Sequence, residues 1–507
     1  MSFYKFATGA AAIIAGFGTA PAYADLTAQD LWDNWKSSAE GTGQTVSVAN
    51  ESYSGGVLTL DGISFGFAMP EGDMGMTLET VTLTESGDGS VSVEMPDSFP
   101  IIISGTDPDG GAFNMTMRVN QPDASFLATG SPEAINYGFS VPLSEITFDE
   151  FTVPDEELQM DLKMTLTDSV GTYATKEGTL RQIDSDFTAG SLSMDLTMSE
   201  PGESLTFDMD LEMQGLSSTS TGSLSPFAGS GPNLGDLLRA GMQSEGTLSV
   251  GPTTYAINLT DPNGPFHMTG KSDASLAEFS INENGILYGG TNEGVSAFVE
   301  IASVPIPPIE LLVSRVGGQI QMPFVASDVA QDFAMKLDLV ELVLSDDIWN
   351  LFDPSGALPR DPADLTLDLS GKGRWNVDIT DPVAIEELEA SGGLPGEVEN
   401  IDINSIALSL MGATLNGTGG FGFNNNAPIP APSGAVDFEL TGVEGLLDTL
   451  VAAGLLPEDQ ATGARLMLGL FAQRGEAPDT LKSTIELTED GSVLANGQRI
   501  RLSLIHI

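Results

Sequence analysis

A strict alternation of apolar and polar residues is the feature that most constrains how this chain can fold. Over residues 205–213, five apolar side chains fall on one side, and Asp208, Asp210 and Glu212 fall on the other. A period of two predicts an extended strand, because successive side chains of a strand leave opposite faces of the sheet. One apolar and one acidic face predict a half-buried antiparallel strand. Similar runs at 192–198, 337–344 and 365–369 predict a mainly β chain.

One hairpin pattern occurs twice in the chain. Residues 103–117 and 257–268 each contain an alternating apolar run, a Thr-Asp-Pro-Asx-Gly turn and a second alternating run. Such a turn between two alternating runs is typical of a β-hairpin. The copies start about 150 residues apart, which is the length of a domain and not of a solenoid repeat. We therefore predict duplicated antiparallel β units that form long curved or sandwiched sheets.

The predicted domain organisation follows from these runs and from the segments between them. In order, it consists of a signal peptide at 1–24, a first β unit with an N-terminal helix at 25–218, a linker at 219–235, a second β unit at 236–395, and a C-terminal β-α-α-β part at 396–501. The linker is predicted because 219–235 is rich in Ser, Gly and Pro. Residues 502–507, LSLIHI, are what a common transposase sequencing adaptor encodes, so we predict that they are an artefact.

Helices are predicted near both ends of the mature chain. Residues 27–40 have an amphipathic pattern with Leu31, Trp32 and Trp35 on one face. This helix could plug one end of a sheet or act as a lid, and the plug is the preferred interpretation. Residues 443–453 and 458–473 each carry an apolar face, which predicts a helical pair packed on a sheet.

The first 24 residues have the layout of a secretory signal peptide. Lys5 supplies the positive start, residues 7–17 are apolar, and Ala22 and Ala24 form an A-x-A cleavage site. The sequence therefore predicts export, cleavage after Ala24 and a periplasmic mature protein. No later apolar run reaches the roughly 20 residues that a membrane-spanning helix needs, so no transmembrane segment is predicted in the mature chain.

Charge and composition argue against several classes of function. Among the 507 residues, 18 Lys and Arg stand against 72 Asp and Glu, which gives a formal net charge of −54. Such a surface repels phosphate backbones, so no nucleic-acid partner is predicted. The acids are spread evenly, which favours a solvated surface over an acidic functional patch. The chain has no cysteine, which removes disulfides, thiolate nucleophiles and cysteine-ligated metals.

Residue types that carry out catalysis are scarce or lack partners. The histidines are His267 and His506, and His267 lies in a strand-like run, where a structural role is favoured over a catalytic triad. Asp107 and Asp109 resemble part of a calcium loop, but the further ligands are missing and turn chemistry is favoured. A glycosidase with two carboxylates stays a minor alternative, because aromatic residues make up only 7%. We predict a non-enzymatic protein with no catalytic, cofactor-binding or metal-binding residues.

One stretch resembles a known family. Residues 349–371, WNLFDPSGALPRDPADLTLDLSG, are similar to an uncharacterised family of exported alphaproteobacterial proteins, a domain-of-unknown-function family. The tryptophan-containing first helix and the closing strand–helix–helix–hairpin also fit this family. The resemblance implies a periplasmic β-rich protein and supplies no catalytic residues. More loosely, the architecture resembles AsmA-like envelope proteins, whose long β-sheet grooves carry lipids, although this chain lacks their membrane anchor.

Two functional hypotheses remain after these exclusions. Many methionines, among them Met164, Met194, Met209 and Met213, lie on apolar strand faces. Methionine suits an irregular core, which is the favoured interpretation, or an adaptable apolar groove. The first hypothesis is a periplasmic protein that binds an apolar envelope ligand, such as lipid, in a β-sheet groove; the alternative is a structural or protein-interaction component of the envelope without a groove. A groove predicts uncovered apolar residues along one sheet face, and a closed sandwich predicts none.

Overall fold

The computed structural model describes residues 26–41, 44–69, 72–106, 112–152, 159–200, 205–224, 233–425 and 430–500. The predicted signal peptide at 1–24, Asp107 and Asp109 of the predicted first turn, and the predicted artefact at 502–507 lie outside the described residues. The described chain is mainly β, as predicted.

Helices and strands are numbered here in chain order. The helices are α1 (Ala28–Gly41), α2 (Leu234–Arg239), α3 (Asp346–Phe352), α4 (Pro382–Ser391), α5 (Val443–Ala452) and α6 (Glu458–Phe471). The strands are β1 (Thr45–Ser47), β2 (Asn50–Ser54), β3 (Val57–Met69), β4 (Gly72–Glu85), β5 (Val91–Glu94), β6 (Ser98–Thr106), β7 (Ala112–Asn120), β8 (Ser125–Ser131), β9 (Ala134–Thr152), β10 (Gln159–Lys176), β11 (Arg181–Ser199), β12 (Thr206–Leu224), β13 (Gln243–Val250), β14 (Thr253–Asp261), β15 (Gly264–Ser272), β16 (Ala274–Asn282), β17 (Gly285–Ile301), β18 (Ile309–Met322), β19 (Gln331–Leu344), β20 (Ala363–Trp375), β21 (Gly396–Leu410), β22 (Ala413–Asn424), β23 (Ala431–Thr441), β24 (Gln473–Arg474), β25 (Thr480–Leu487), β26 (Val493–Ala495) and β27 (Gln498–Ile500). Across the described ranges, none of the helices has both the length and the apolar character needed to cross a bilayer.

Two compact units divide the described chain. Unit 1 contains the residues up to Leu224 together with 240–269 and 301–304, and unit 2 contains 233–239, 270–300 and the residues from 305 onward. The predicted boundary at 395/396 falls inside one sheet, because β20 pairs with β21 across it. The predicted second β unit and C-terminal part therefore share a sheet.

The predicted linker at 219–235 differs from the structure at its start. β12 continues to Leu224, and its residues 217–223 pair with β13. The serines and threonines of this segment keep the extended conformation because neighbouring strands supply their backbone hydrogen bonds, which overrides the loop-like composition. The last part of the predicted linker contains the start of α2.

The sheet of unit 1 combines long strands with pairs of short strands. β3 pairs with β1 and β2 on one side and with β4 on the other. β5 and β6 both pair with β4. β8 pairs with β5, β7 pairs with β6, and β7 and β8 both pair with β9. β9, β10, β11 and β12 follow in sequence order, and β13 and β14 both pair with β12. Every one of these pairings is antiparallel.

The core of unit 1 lies between α1 and one half of this sheet. Leu31 and Trp32 of α1 are buried. The Trp32 indole N–H donates to the Glu51 carboxylate at 3.0 Å, so its polar atom keeps a partner. Buried strand residues of this core include Leu58, Leu60, Ile63, Leu78, Val81, Leu83, Val91, Val93, Phe126, Ala128 and Ile135. The helix therefore closes the core, in agreement with the plug interpretation.

Polar contacts fix α1 on the sheet as well. The Tyr137 hydroxyl donates to the Asn34 side-chain oxygen at 3.1 Å. Burial raises the pKa of Tyr137 above its ordinary value, so this phenol stays protonated. Arg181 donates to the Ser38 hydroxyl at 2.9 Å. The middle and the C-terminal part of α1 are thus tied to strands that are distant in sequence.

In unit 1, the buried positions of several strands change between odd-numbered and even-numbered residues, a change called here the phase reversal. The residues at which this happens form a row across the sheet. In β10 the apolar positions run to Leu166, and the next buried residue is Ser169, three residues further on. Asp168, between them, has a φ of 49°, and Gly62 of β3 and Gly215 of β12 have φ values of 66° and 61°. A residue in the left-handed region makes a bulge that exchanges the two faces of the strand. Residues on one side of this row therefore form the buried core under α1. Residues on the other side form a further apolar surface, of which Phe65 and Met76 still contact that core.

The strands of unit 2 form an antiparallel meander. β16 to β23 pair in sequence order. α5, α6 and β24 intervene before β25, which pairs with β23. On its other side β25 pairs with β24 near one end and with β26 near the other, and β27 pairs with β26.

Replacement of Trp32 by alanine tests the role of α1. We expect Trp32→Ala to lower the free energy of unfolding of unit 1 by about 3–5 kcal/mol, because a large buried ring leaves a cavity. Asp33→Ala, on the solvent side of the same helix, is the control and should change stability by less than about 0.5 kcal/mol. Urea unfolding followed by tryptophan fluorescence measures both. Equal effects of the two variants would show that α1 is not part of the core.

Candidate apolar binding site

The strand register of unit 2 brings apolar residues of neighbouring strands onto one face. Residues directly opposite each other in an antiparallel pair lie on the same face. Met335 of β19 lies opposite Ile320 of β18 and Leu369 of β20. The row continues to Tyr288 of β17 and Ile403 of β21. Apolar side chains therefore form a line across five strands.

Two further rows run beside this line. One consists of Gly318, Leu337, Leu367, Ile406, Gly417 and Phe438, and the other of Val316, Leu339, Leu365, Leu408, Leu415 and Leu440. These two rows and the row of Met335 are called here the leucine face. On the opposite face of the same strands lie Lys336, Asp338 and Asp368, with Lys336 Nζ 3.4 Å from the Asp368 carboxylate. The sheet of unit 2 is thus apolar on one side and polar on the other.

The leucine face is open over β17 to β21. Exposed fractions are 59% for Tyr288, 43% for Ile320, 40% for Met335, 41% for Leu337 and 37% for Leu408. Contiguous apolar side chains left in water on a folded protein mark a binding surface more often than an ordinary exterior. Uncovered apolar residues along one face are also what a groove requires and what a closed sandwich lacks. Within the described part of unit 2, the leucine face is the candidate site.

The helical pair α5 and α6 covers the other end of this face. Leu481 and Val436, on the apolar side of β25 and β23, are buried, as is Leu447 of α5. The Ser483 hydroxyl donates to the Phe471 carbonyl at the end of α6 at 2.5 Å. The pair is packed on a sheet, as predicted, and it bounds the open part of the leucine face.

A buried carboxylate fixes the loop beside the strand ends of the leucine face, between α3 and β20. Asp353 is 1% exposed, and its side chain accepts hydrogen bonds from the backbone N–H groups of Ala357 and Leu358, each at 2.9 Å. The Ser355 hydroxyl donates to it at 3.1 Å. The backbone donors, with Ala357 contributing most, hold the pKa of Asp353 below its ordinary value, because they stabilise the charged form.

Arg360 completes this loop. Its guanidinium lies 5.9 Å from the ring centroid of buried Trp349 and donates to Asn350 at 2.9 Å and to the Asp346 carboxylate. The stretch 349–371, on which the family resemblance is based, therefore acts as a support for the strand ends. The residues of this stretch that lie on the leucine face are those of β20, such as Leu367.

Unit 1 carries a second apolar surface, on the half of its sheet beyond the phase reversal. Met164 of β10 lies opposite Met194 of β11, and Met160 lies opposite Met198. The ten methionines Met74, Met76, Met115, Met117, Met160, Met164, Met194, Met198, Met209 and Met213, with the Ile, Leu and Phe residues opposite them, are called here the methionine stripe. These methionines are half-buried, since neighbours in the sheet shield one another.

His267 and Asp261, two described residues near the second repeated turn, have hydrogen-bond partners on their own hairpin. His267 Nδ1 lies 2.6 Å from the side-chain oxygen of Asn258 on the adjacent strand, which agrees with the structural role. In the second repeated turn, Asp261 accepts from the backbone N–H groups of Asn263 and Gly264 at 2.7 and 3.1 Å, so its carboxylate is used by the turn. Among the described residues, no three His, Cys, Asp or Glu side chains are grouped so that they could hold a metal ion.

The polar face of unit 2 has a shallow cleft of about 260 Å³. Its walls include Asp332, Lys372, Asn400 and Asp402. Lys372 Nζ lies 2.7 Å from the Asp332 carboxylate, and Asn400 donates to Asp402 at 2.5 Å. Because these polar groups satisfy each other, the cleft has few free partners to offer a ligand.

The sequence predicts the strands of both surfaces but leaves the ligand-binding residues open. The alternation at 337–344 and 365–369 indicates which side chains share a side of one strand. It does not indicate which residue of the next strand lies opposite. The sequence feature that comes closest to indicating the leucine face is the recurrence of apolar triplets in successive strands, Leu337 to Leu342 and Leu365 to Leu369.

Comparison with known proteins gives one match. Residues 309–500, from the first residue of β18 to the last of β27, match the model of a family described as an uncharacterized protein conserved in bacteria (DUF2125). This agrees with the predicted resemblance to a domain-of-unknown-function family. The matched span lies in unit 2 and contains almost all of the leucine face. No curated protein and no solved structure matches the chain.

Replacement of Asp353 by asparagine tests the loop support and its pH dependence. The pKa of Asp353 is lowered in the folded protein, so its charged form stabilises the fold above the ordinary value of 3.8, and this contribution is lost as pH falls through the folded pKa. We expect Asp353→Asn to lower the melting temperature by a few °C at pH 7, because the amide cannot accept all three hydrogen bonds.

The difference between wild type and Asp353→Asn should begin to shrink as pH falls below about 4, because the unfolded carboxyl then binds a proton that the folded carboxylate, with its lowered pKa, does not yet bind. Thermal melts at pH 7, 5, 4 and 3 measure it. Asp347→Asn, at an exposed position of α3, is the control and should leave the melting temperature unchanged. A difference that stays constant over this range would contradict the charged role of Asp353.

Proposed function

We propose that the protein is an exported, periplasmic, non-enzymatic protein that binds an apolar envelope ligand, a lipid, on the leucine face of unit 2. The layout of residues 1–24 supports the export. The leucine face supports the ligand class, because it offers side-chain methyl and methylene groups and no charge over three rows. The family match supports the choice of unit 2, since it covers this face.

One observation carries the proposal. Ile320, Met335 and Leu337 lie side by side on neighbouring strands and are each at least 40% exposed. A folded chain that leaves such a surface in water forgoes roughly 25 cal/mol for each Å² of apolar area. A hydrocarbon ligand that covers the surface recovers this free energy.

The size of the effect indicates the expected affinity. Removing a chain of about 16 carbons from water contributes up to about 13 kcal/mol at about 0.8 kcal/mol per CH₂. Association costs about 4–15 kcal/mol. An open face covers only one side of the acyl chain, so only part of the free energy of removing the chain from water is gained. We therefore expect a dissociation constant in the micromolar range or weaker.

The alternative function is a structural or protein-interaction component of the envelope. It is favoured by α6, on which Leu466, Met467 and Leu470 are 70%, 55% and 57% exposed. These residues form an apolar stripe on one side of the helix. A protein partner that packs on α6 would bury this stripe without any lipid.

Polar replacements on the leucine face test lipid binding. Leu337 and Leu367 lie opposite each other, and we expect Leu337→Asn with Leu367→Asn to weaken lipid binding at least tenfold, because two apolar contacts are lost. Ser409→Asn with Thr414→Asn, an opposed pair on the polar face, is the matched control and should bind like wild type.

The readout is native mass spectrometry of protein purified from the periplasm, followed by organic extraction and by titration with a fluorescent lipid. Lipid that copurifies with wild type and the control, and is lost from the leucine-face variant, supports the proposal. A wild-type protein that copurifies no lipid and takes up none rejects the lipid function and leaves the interaction component as the explanation.

A further inference from the structure

We propose that the methionine stripe of unit 1 is a second and separate lipid site, which takes the acyl chains of a zwitterionic lipid. This inference rests on the proposed function, since it assumes that the protein binds lipid at all. It assigns a ligand to a surface outside the leucine face and outside the span that matches the known family.

The sulfur-containing side chains of the stripe are regularly arranged. Met160 and Met198 form a directly opposed pair, and so do Met164 and Met194. On the next strand, Met209 and Met213 lie opposite Leu196 and Leu192. The surface is therefore a patch in which methionine alternates with leucine along β10 and β11, with methionine opposite methionine and leucine opposite leucine between these two strands.

The stripe is long compared with an acyl chain. It runs over β3, β4, β6, β7, β9, β10, β11 and β12, and neighbouring strands lie about 4.8 Å apart. Seven such steps give about 34 Å, which exceeds the roughly 15 Å that one acyl chain spans in half of a bilayer. The stripe is long enough for an acyl chain to lie across several strands.

The helix of unit 1 covers the other half of the sheet and leaves most of the stripe uncovered. α1 packs over the buried residues around Leu58 and Val81. Met76, Ile101 and Ile146, in the part of the stripe on β4, β6 and β9, contact this core, and the methionines of β10, β11 and β12 are not among the residues packed against it. Within the described residues of unit 1 no second helix is present to cover the stripe. Met160, Met164, Met194 and Met198 are half-buried, so their side chains are partly accessible.

The methionine side chains and the negative charge of the protein indicate the kind of lipid that fits the stripe. Methionine is unbranched and polarizable, and it adapts to irregular partners, which suits flexible chains of varied length or with a kink. The reverse side of the same strands carries Asp161, Asp195, Asp208, Asp210 and Glu212, and the chain as a whole has a net charge of −54. A negative headgroup is repelled by this field, so a zwitterionic headgroup is the one that fits.

The test uses native mass spectrometry of the full mature chain with two lipids that have the same dioleoyl chains. Phosphatidylethanolamine is the zwitterionic lipid and phosphatidylglycerol the anionic one. We expect wild type to bind two molecules of the zwitterionic lipid and to bind the anionic lipid at least tenfold more weakly. Equal affinity for both lipids would overturn the assignment of the headgroup.

Opposed pairs of residues supply matched variants. Met164→Asn with Met194→Asn should bind one zwitterionic lipid in place of two. Thr165→Asn with Ser193→Asn, the adjacent opposed pair on the other face, is the control and should bind two. If the methionine variant also binds two, the second site is rejected.

A footprint on wild-type protein makes the test independent of how the variants fold. Hydrogen peroxide transfers one oxygen atom to the methionine sulfur, which is oxidised to the sulfoxide while the peroxide is reduced to water. Bound zwitterionic lipid should lower the rate of sulfoxide formation at Met164 and Met194 at least threefold. Met467 on α6, which is 55% exposed, is the internal control and should react at an unchanged rate. Unchanged rates at Met164 and Met194 would reject the site.

The outcomes separate the two proposals. A wild-type protein that binds no lipid rejects the proposed function and this inference with it. Loss of all lipid from Leu337→Asn with Leu367→Asn, with an unprotected methionine stripe, supports the leucine face and rejects the second site. One lipid remaining on that variant, with protection of Met164 and Met194, supports the second site.

Discussion

Hydrogen bonding between neighbouring antiparallel strands is the constraint on which the other features depend. The alternation within one strand only divides its own side chains into two sets. Pairing fixes which residue of the next strand lies opposite, so Met335 meets Ile320 and Leu369, and Met164 meets Met194. Since a shift of one residue would move every side chain to the other face, the apolar surfaces exist because the register is kept over many strands.

The phase reversals allow one strand to take part in two different environments. In β3, β4, β9 and β10 the same sheet packs against α1 at one end and forms the methionine stripe at the other. Gly62 of β3 and Asp168 of β10, with positive φ, lie at the change between the two. A left-handed residue at this place costs conformational freedom or strain, and the gain is that a helix-covered core and a second apolar surface can share their strands without a domain boundary.

Much of the fold can be predicted from local patterns, and the rest depends on contacts between distant residues. The strands at 192–198, 205–213 and 365–369, the helix with Trp32 and the helical pair near the C-terminus follow from periodicity and capping. The end of β12 cannot be predicted in this way. Thr219 and its neighbours have the composition of a linker, and they form a strand because β13 pairs with them. The leucine face is also hidden in the sequence, since register across β18 to β22 is set by the whole sheet and not by any one segment.

The charge of the chain and its apolar faces are connected. An open apolar surface invites association between copies of a protein, and a high net charge of one sign opposes it. With 72 acids against 18 basic residues, and with acids such as Asp208 and Asp210 on the faces turned away from the apolar side, two molecules repel each other before their apolar faces meet. A neutral or zwitterionic lipid does not meet this barrier. For the proposed lipid function, the acidity would therefore oppose contact between copies of the protein and leave the apolar faces to ligands without net negative charge.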